Sequence, residues 1–233
     1  QGTLFLQREI GRRGYNATED VRRDEHSVTV REWYPRYPIL VLEGESGQGK
    51  SWALFGLGLE IARHNALCVL VRATGNADAT LQKAAHVFWQ EIKHNDGVLS
   101  LSGISRRRRE CVQPFAELWL TVHVDSVQDA NEARELALQP WESWGVQFAV
   151  TCTPTIAKGL IAEARNRATT VQVADFSEEQ LRAYLGNSWA NVPADVRDTL
   201  RRPLLASLYR AVVGQSGWQP NNEYELYDRY WGR

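Results

Sequence analysis

Methionine is missing altogether from this 233-residue sequence, although nine tryptophans show that bulky side chains are not avoided. With Gln1 at the start, that absence implies a piece of a longer polypeptide, or a chain from which residues have been lost. Cysteine is scarce. Cys68, Cys111 and Cys152 lie far apart, with no CxxC pair and no histidine at metal-ligand spacing. A disulfide framework and a structural zinc are thereby disfavoured, and a reducing compartment is expected. Long apolar runs are lacking too: the stretches around Ile39–Leu42 and Trp52–Ala62 fall short of the roughly 20 residues a membrane span needs. No signal-peptide pattern opens the chain. The expectation is a cytoplasmic protein without a membrane partner, in which the sequon Asn16-Ala17-Thr18 has no use. An excess of one charge sign is also absent, since 27 Lys and Arg face 28 Asp and Glu for a net charge of −1. That balance argues against a protein whose main task is to coat nucleic acid or an anionic membrane.

What is present is an ordinary globular composition, 43% hydrophobic and 24% charged, able to bury a core. Its pattern alternates apolar strands with amphipathic helices. Ile39–Glu43 reads as a buried parallel strand, followed by a helix from about Lys50 to Arg63 with Asn65 as its stop. Leu67–Val71 reads as the next strand, and Leu81, Ala84, Phe88 and Ile92 recur at helical spacing. Leu118–Val124 forms a third strand, ending at Asp125. Asp129 and Glu132 open another helix as a capping box, and a fourth strand, Val146–Cys152, ends at Thr153-Pro154. Repeated β-α units imply right-handed crossovers and an α/β fold, a parallel sheet covered by helices on both faces. Near Val171 the texture turns helical. Ser177 with Gln180 makes a capping box, Pro193 suits a first helical position, and Pro203 starts a helix running to Gly214. The expected organisation is an N-terminal segment over 1–37 with a helical hint at Leu4–Arg12, a nucleotide-binding domain over 38–174, and a small α-helical domain over 175–233.

Gly44-Glu45-Ser46-Gly47-Gln48-Gly49-Lys50-Ser51 fits G-x-x-x-x-G-K-[ST] and stands between a predicted strand and a predicted helix. The glycines let successive amides turn inward as an anion nest, and the helix dipole favours negative charge at the same place. Lys50 can then reach the β- and γ-phosphates, and the Ser51 hydroxyl can ligate Mg²⁺. The nucleotide contacts expected are Gly44 through Ser51, with Trp52 beside them. Asp125, at the end of an apolar strand, suits the second Mg²⁺-organising carboxylate, acting through metal-bound water. Asp129 is read either as a group that orients the attacking water or as the helix cap, and Gln128 is a weaker candidate for positioning water. His123 alternates toward an interior face and reads as packed rather than catalytic. The absence of an N-K-x-D guanine-reading pattern points to ATP.

The phosphate loop, the strand ending in Asp125-Ser-Val-Gln-Asp129, the strand Phe148–Pro154, Asp175–Leu181 and Arg202–Leu208 follow one another in an order that resembles STAND NTPases. These are signal-transduction ATPases with numerous domains, including NACHT and NB-ARC proteins and bacterial antiviral (Avs) ATPases. The closing Glu223–Trp231 resembles the helix after their Pro-Leu segment, so the likeness covers about Ile39 to Trp231. The resemblance implies a P-loop NTPase fold and a nucleotide-controlled switch. ATP state would govern homo-oligomerisation and effector activation, with sensor and effector domains lying outside this segment. It implies that Pro203 lies beside the adenine, although a plain helix-start proline explains it equally. Thr153 stands where many members carry a phosphate-sensing arginine, and Gln128 stands where an acidic residue is common. Both departures imply slow hydrolysis.

Two other features have plainer readings. Arg106–Arg109 reads as a solvated basic stretch rather than an arginine finger or nucleic-acid patch. Trp218, Tyr224, Tyr227, Tyr230 and Trp231 read as helical-domain core or contacts to further domains, and no nucleic-acid motif accompanies them. The alternatives to a switch are a P-loop motor or remodeller acting on nucleic acid or protein, and a scaffold that holds nucleotide without turning it over. A small-molecule kinase ranks last, because no lid-like arginine-rich segment follows the fourth strand.

Overall fold

The computed structural model describes residues 37–63, 66–92, 119–216, 220 and 222–231. The expectations for Leu4–Arg12, Asn65, Arg106–Arg109, Cys111, Leu118 and Trp218 lie outside these residues. Among the described residues, 37–44 with 50–172 form one compact unit, and 45–49 with 173–231 form a second.

The first unit is a five-stranded parallel sheet in the order β2-β3-β4-β1-β5. Its elements run β1 (Ile39–Glu43), α1 (Lys50–Arg63), β2 (Ala66–Arg72), α2 (Ala77–Ile92), β3 (Trp119–Val127), α3 (Ala130–Leu138), α4 (Trp141–Trp144), β4 (Val146–Cys152), α5 (Pro154–Ala164) and β5 (Ala168–Gln172). The period-2 alternation of the strands divides the core by face. Ile39, Val41, Val69, Val71, Val122, Val124, Phe148 and Val150 pack with α2, α3 and α5 in one cluster. Leu40, Leu42, Leu70, His123, Ala149 and Thr151 have the opposite parity and are equally buried. Leu54 of α1 is buried too, and its backbone lies against His123, which places α1 on that face. Trp141 anchors the first face: its ring stacks on Phe148 at 4.5 Å, and its indole Nε1–H donates to the Leu136 carbonyl at 2.8 Å.

The structure departs from the sequence reading at several places. A fifth strand, Ala168–Gln172, pairs with β1 where a turn to helical texture was expected. β3 does not stop at Asp125. It continues to Val127 through a bulge, since Val124 pairs with Val150 and Val127 with Cys152, leaving one extra residue on β3. Ser126 takes up the irregularity with φ +64°, a left-handed conformation uncommon outside glycine. The Asp129–Glu132 capping box is half realised. Asp129 Oδ1 accepts from the Asn131 and Glu132 amides at 2.8 Å each. Glu132 instead turns inward, fully buried, and accepts from the Thr74 and Gly75 amides and from the Thr80 hydroxyl (2.6 Å). It therefore ties the loop after β2 to α3.

The second unit is helical beyond the loop residues: α6 (Glu178–Leu185), a 3-10 segment (Gly186–Asn191), α7 (Ala194–Leu200), α8 (Pro203–Ser216) and α9 (Glu223–Trp231). Phe176, Leu181, Leu185, Trp189, Val196, Leu205, Tyr209 and Leu226 are among the residues of its core. The Ser177–Gln180 capping box is complete. Pro193 precedes α7 as its N-cap instead of occupying the first helical position. Tyr227 packs against this core, while Tyr224 is largely exposed.

Candidate functional site

The phosphate-loop sequence forms the turn between β1 and α1. Gly47 (φ +83°) and Gly49 (φ +81°) both take left-handed conformations, the backbone geometry that turns successive amides to one side. At Gly47 the requirement is double, because a Cβ would also approach Arg202 Cδ and Leu204 Cβ to 3.2 Å. Within the first unit, Gly44 is buried, and its carbonyl accepts from Lys50 Nζ at 2.7 Å. Lys50 is half-buried, as is Ser51, while Trp52 is exposed. Within the second unit, Glu45 and Ser46 are exposed. The Glu45 amide donates to Gln48 Oε1, and Gln48 Nε2 donates to Asp175 Oδ1 at 3.3 Å. The Leu204 amide, one residue into α8 from the buried Pro203, donates to the Gly47 carbonyl at 3.0 Å.

Two of the expected site residues, Ser51 and Asp125, come together. Ser51 Oγ donates to Asp125 Oδ1 at 2.8 Å, although 74 residues separate them. The acid does not stand on a strand next to β1. β4 lies between β1 and β3, and the contact forms because Asp125 shares His123's parity and therefore α1's face. Thr151, fully buried on β4 in register with Leu42, adds a second hydroxyl to the same oxygen at 2.8 Å. Sequence reading did not single out Thr151. The available signal was a polar residue at an inward position of an otherwise apolar strand.

Of the remaining candidates, Gln128, Asp129 and Thr153 follow the C-terminal ends of β3 and β4. Gln128 and Asp129 are exposed at the start of α3, and Asp129 acts as its N-cap. Thr153 is half-buried and is the N-cap of α5, with Pro154 at the first helical position and no side-chain cap bond from Thr153. Pro203 opens α8 in the second unit. His123 is fully buried, and neither ring nitrogen makes a hydrogen bond of ordinary geometry. Burial pushes its pKa down to about 3, against a small opposing pull from the Leu54 backbone. It is a packed neutral imidazole. Cys152, at the end of β4, is held protonated: burial and then the Glu43 carboxylate push its pKa up to about 12 against the pull of Lys50.

Mg²⁺ prefers oxygen donors, keeps several waters and uses one or two carboxylates together with phosphate oxygens. A serine hydroxyl within hydrogen-bond reach of one buried carboxylate fits that donor set. Among the described residues no group of three or more His, Cys, Asp or Glu is placed to hold a metal alone. No helix among them is long and apolar enough to cross a membrane.

No family model matches the chain, and no curated protein matches it. Solved structures do. A STAND protein with a tetratricopeptide-repeat sensor from Pyrococcus horikoshii aligns at TM-score 0.51 and 13% identity, over 84% of this chain and 30% of that one. C. elegans PCH-2 aligns at TM-score 0.38 and 12% identity over 99% and 67%. Drosophila ORC bound to DNA aligns at 0.39 and 13% over 82% and 49%. Of the three, the STAND protein alone passes one half, and at such low identity the likeness is one of fold. This chain spans less than a third of that protein's length. What is shared is the fold, a parallel α/β sheet with helices.

Proposed function

We propose that the chain is the ATP-binding, slowly hydrolysing module of a STAND-type switch, in which nucleotide state controls oligomerisation and effector activation of a longer protein. The observation that carries this reading is the Ser51–Asp125 hydrogen bond, formed at the helix end of a glycine loop with two left-handed residues. In this reading the amides from Gly44 to Ser51 cradle the phosphates, and Lys50 leaves the Gly44 carbonyl to meet their charge. Ser51 would hold Mg²⁺, with Asp125 binding its water. When bound, the ion would neutralise charge developing between the β- and γ-phosphates. Both hydrogen bonds to Asp129 land on Oδ1, so Oδ2 is the atom through which it, with Gln128, would orient a water. Thr153 in place of a phosphate-sensing arginine supports slow turnover, and Pro203 would lie against the base. Trp52 follows the loop on the exposed side of α1.

Asp125→Ala separates metal organisation from phosphate grip. Single-turnover hydrolysis of labelled ATP should fall by at least about 100-fold, while ATP affinity falls by less than about tenfold. Equal loss of both would make Asp125 a structural residue. A wild type that forms no product over hours would leave a nucleotide-holding scaffold.

A further inference from the structure

We infer that Thr151 is a positioning residue for the magnesium-organising carboxylate, a role that rests on the nucleotide reading above. Its single hydroxyl does two things at once. It donates to Asp125 Oδ1 at 2.8 Å and accepts from the Ser126 amide at 2.7 Å. The proton it gives and the lone pair it offers are thus both committed, which fixes the hydroxyl's orientation. The two groups it holds are successive residues of the β3 bulge, and Ser126 is there at φ +64°. A left-handed non-glycine residue persists only where its surroundings hold it. Here part of that support is a threonine side chain reaching across from β4.

The consequence is geometric. The bulge lets β3 leave regular pairing just where Asp125 must meet Ser51, and the Ala73 amide fixes the Asp125 carbonyl from the other side at 2.9 Å. Thr151 sets the carboxylate from the β4 side, and Ser51 meets the same oxygen from α1. A valine has the same shape without the hydroxyl, so it would remove one donor from the Asp125 carboxylate and the side-chain acceptor from the Ser126 amide while keeping the packing. A merely structural threonine would affect stability without changing how strongly Mg²⁺ assists nucleotide binding.

The test is calorimetric titration of the whole chain with ATP and with ADP, each in EDTA and in Mg²⁺. The readout is the ratio of the two affinities. In Thr151→Val that ratio should shrink by about tenfold, and in Thr151→Ser it should return to within about threefold of wild type, as for groups that orient metal ligands. A ratio that survives in Thr151→Val while the wild type shows a clear Mg²⁺ effect overturns the inference alone. A wild type that binds neither nucleotide overturns the nucleotide reading and this inference with it. Should Thr151→Val not fold, the unmutated protein still decides. The Ser126 amide resonance should be protected from exchange and should shift when Mg²⁺ is added to the ADP complex, and an amide indifferent to Mg²⁺ overturns the inference.

Discussion

At the scale of single residues, burial and hydrogen bonding sort two polar neighbours on β3 into different tasks. Asp125 receives two hydroxyls, whereas His123, two residues earlier on the same face, is buried neutral. With its folded pKa lowered to about 3 from 6.5, His123 binds a proton more readily in the unfolded chain. Its contribution to stability is complete above pH 6.5 and is lost as the pH falls toward 3. Chemical denaturation should show wild type losing roughly 1 kcal/mol more than His123→Gln per pH unit between pH 6 and 5. Parallel losses in the two proteins would mean that His123 protonates in the fold. The glycine loop between β1 and α1 was legible because its motif has a fixed spacing. Asp125 was legible because a carboxylate closing an apolar run stands out. Thr151 was not, since a threonine in a strand is an ordinary β-former and its partner lies 26 residues away.

Elements follow the same division between local and distant causes. Ser177–Gln180 is a local exchange of side-chain and backbone bonds, and it formed as the spacing predicts. Ser177→Ala should cost about 1 kcal/mol, read as a lower denaturant midpoint at unchanged slope. A shift under about 0.3 kcal/mol would show that the Phe176–Arg201 bonds hold this entry without the cap. The pair Asp129 and Glu132 has the same spacing but a different outcome. Three donors in the loop after β2 and on α2 (two amides and the Thr80 hydroxyl) draw the Glu132 carboxylate away from the cap. β5 was missed for another reason. It pairs with β1 alone at the sheet edge, and its half-exposed Ala-Thr-Thr-Val-Gln lacks the apolar run that marks the central strands.

For the whole molecule, the β-α alternation gave the parallel α/β sheet, but the strand order was not readable. No local signal says that β4 inserts between β1 and β3, because that pairing is decided by which apolar faces can be buried together. The insertion puts Thr151 of β4 within reach of Asp125, and Thr153, just past the end of the same strand, is the N-cap of α5. The loop residues 45–49 belong with the helical unit through the Gly47–Leu204 and Gln48–Asp175 bonds. Such partners lie more than 100 residues away in sequence, and nothing in the loop motif points to them. The central claim is that the turn after β1 grips a triphosphate. Isothermal titration with ATP-Mg²⁺, run on wild type and on Lys50→Ala, tests it most directly. Saturable binding at one site by wild type, weakened at least about tenfold in the variant, is the predicted result. Equal affinity in the two proteins, or no binding by wild type, would contradict it.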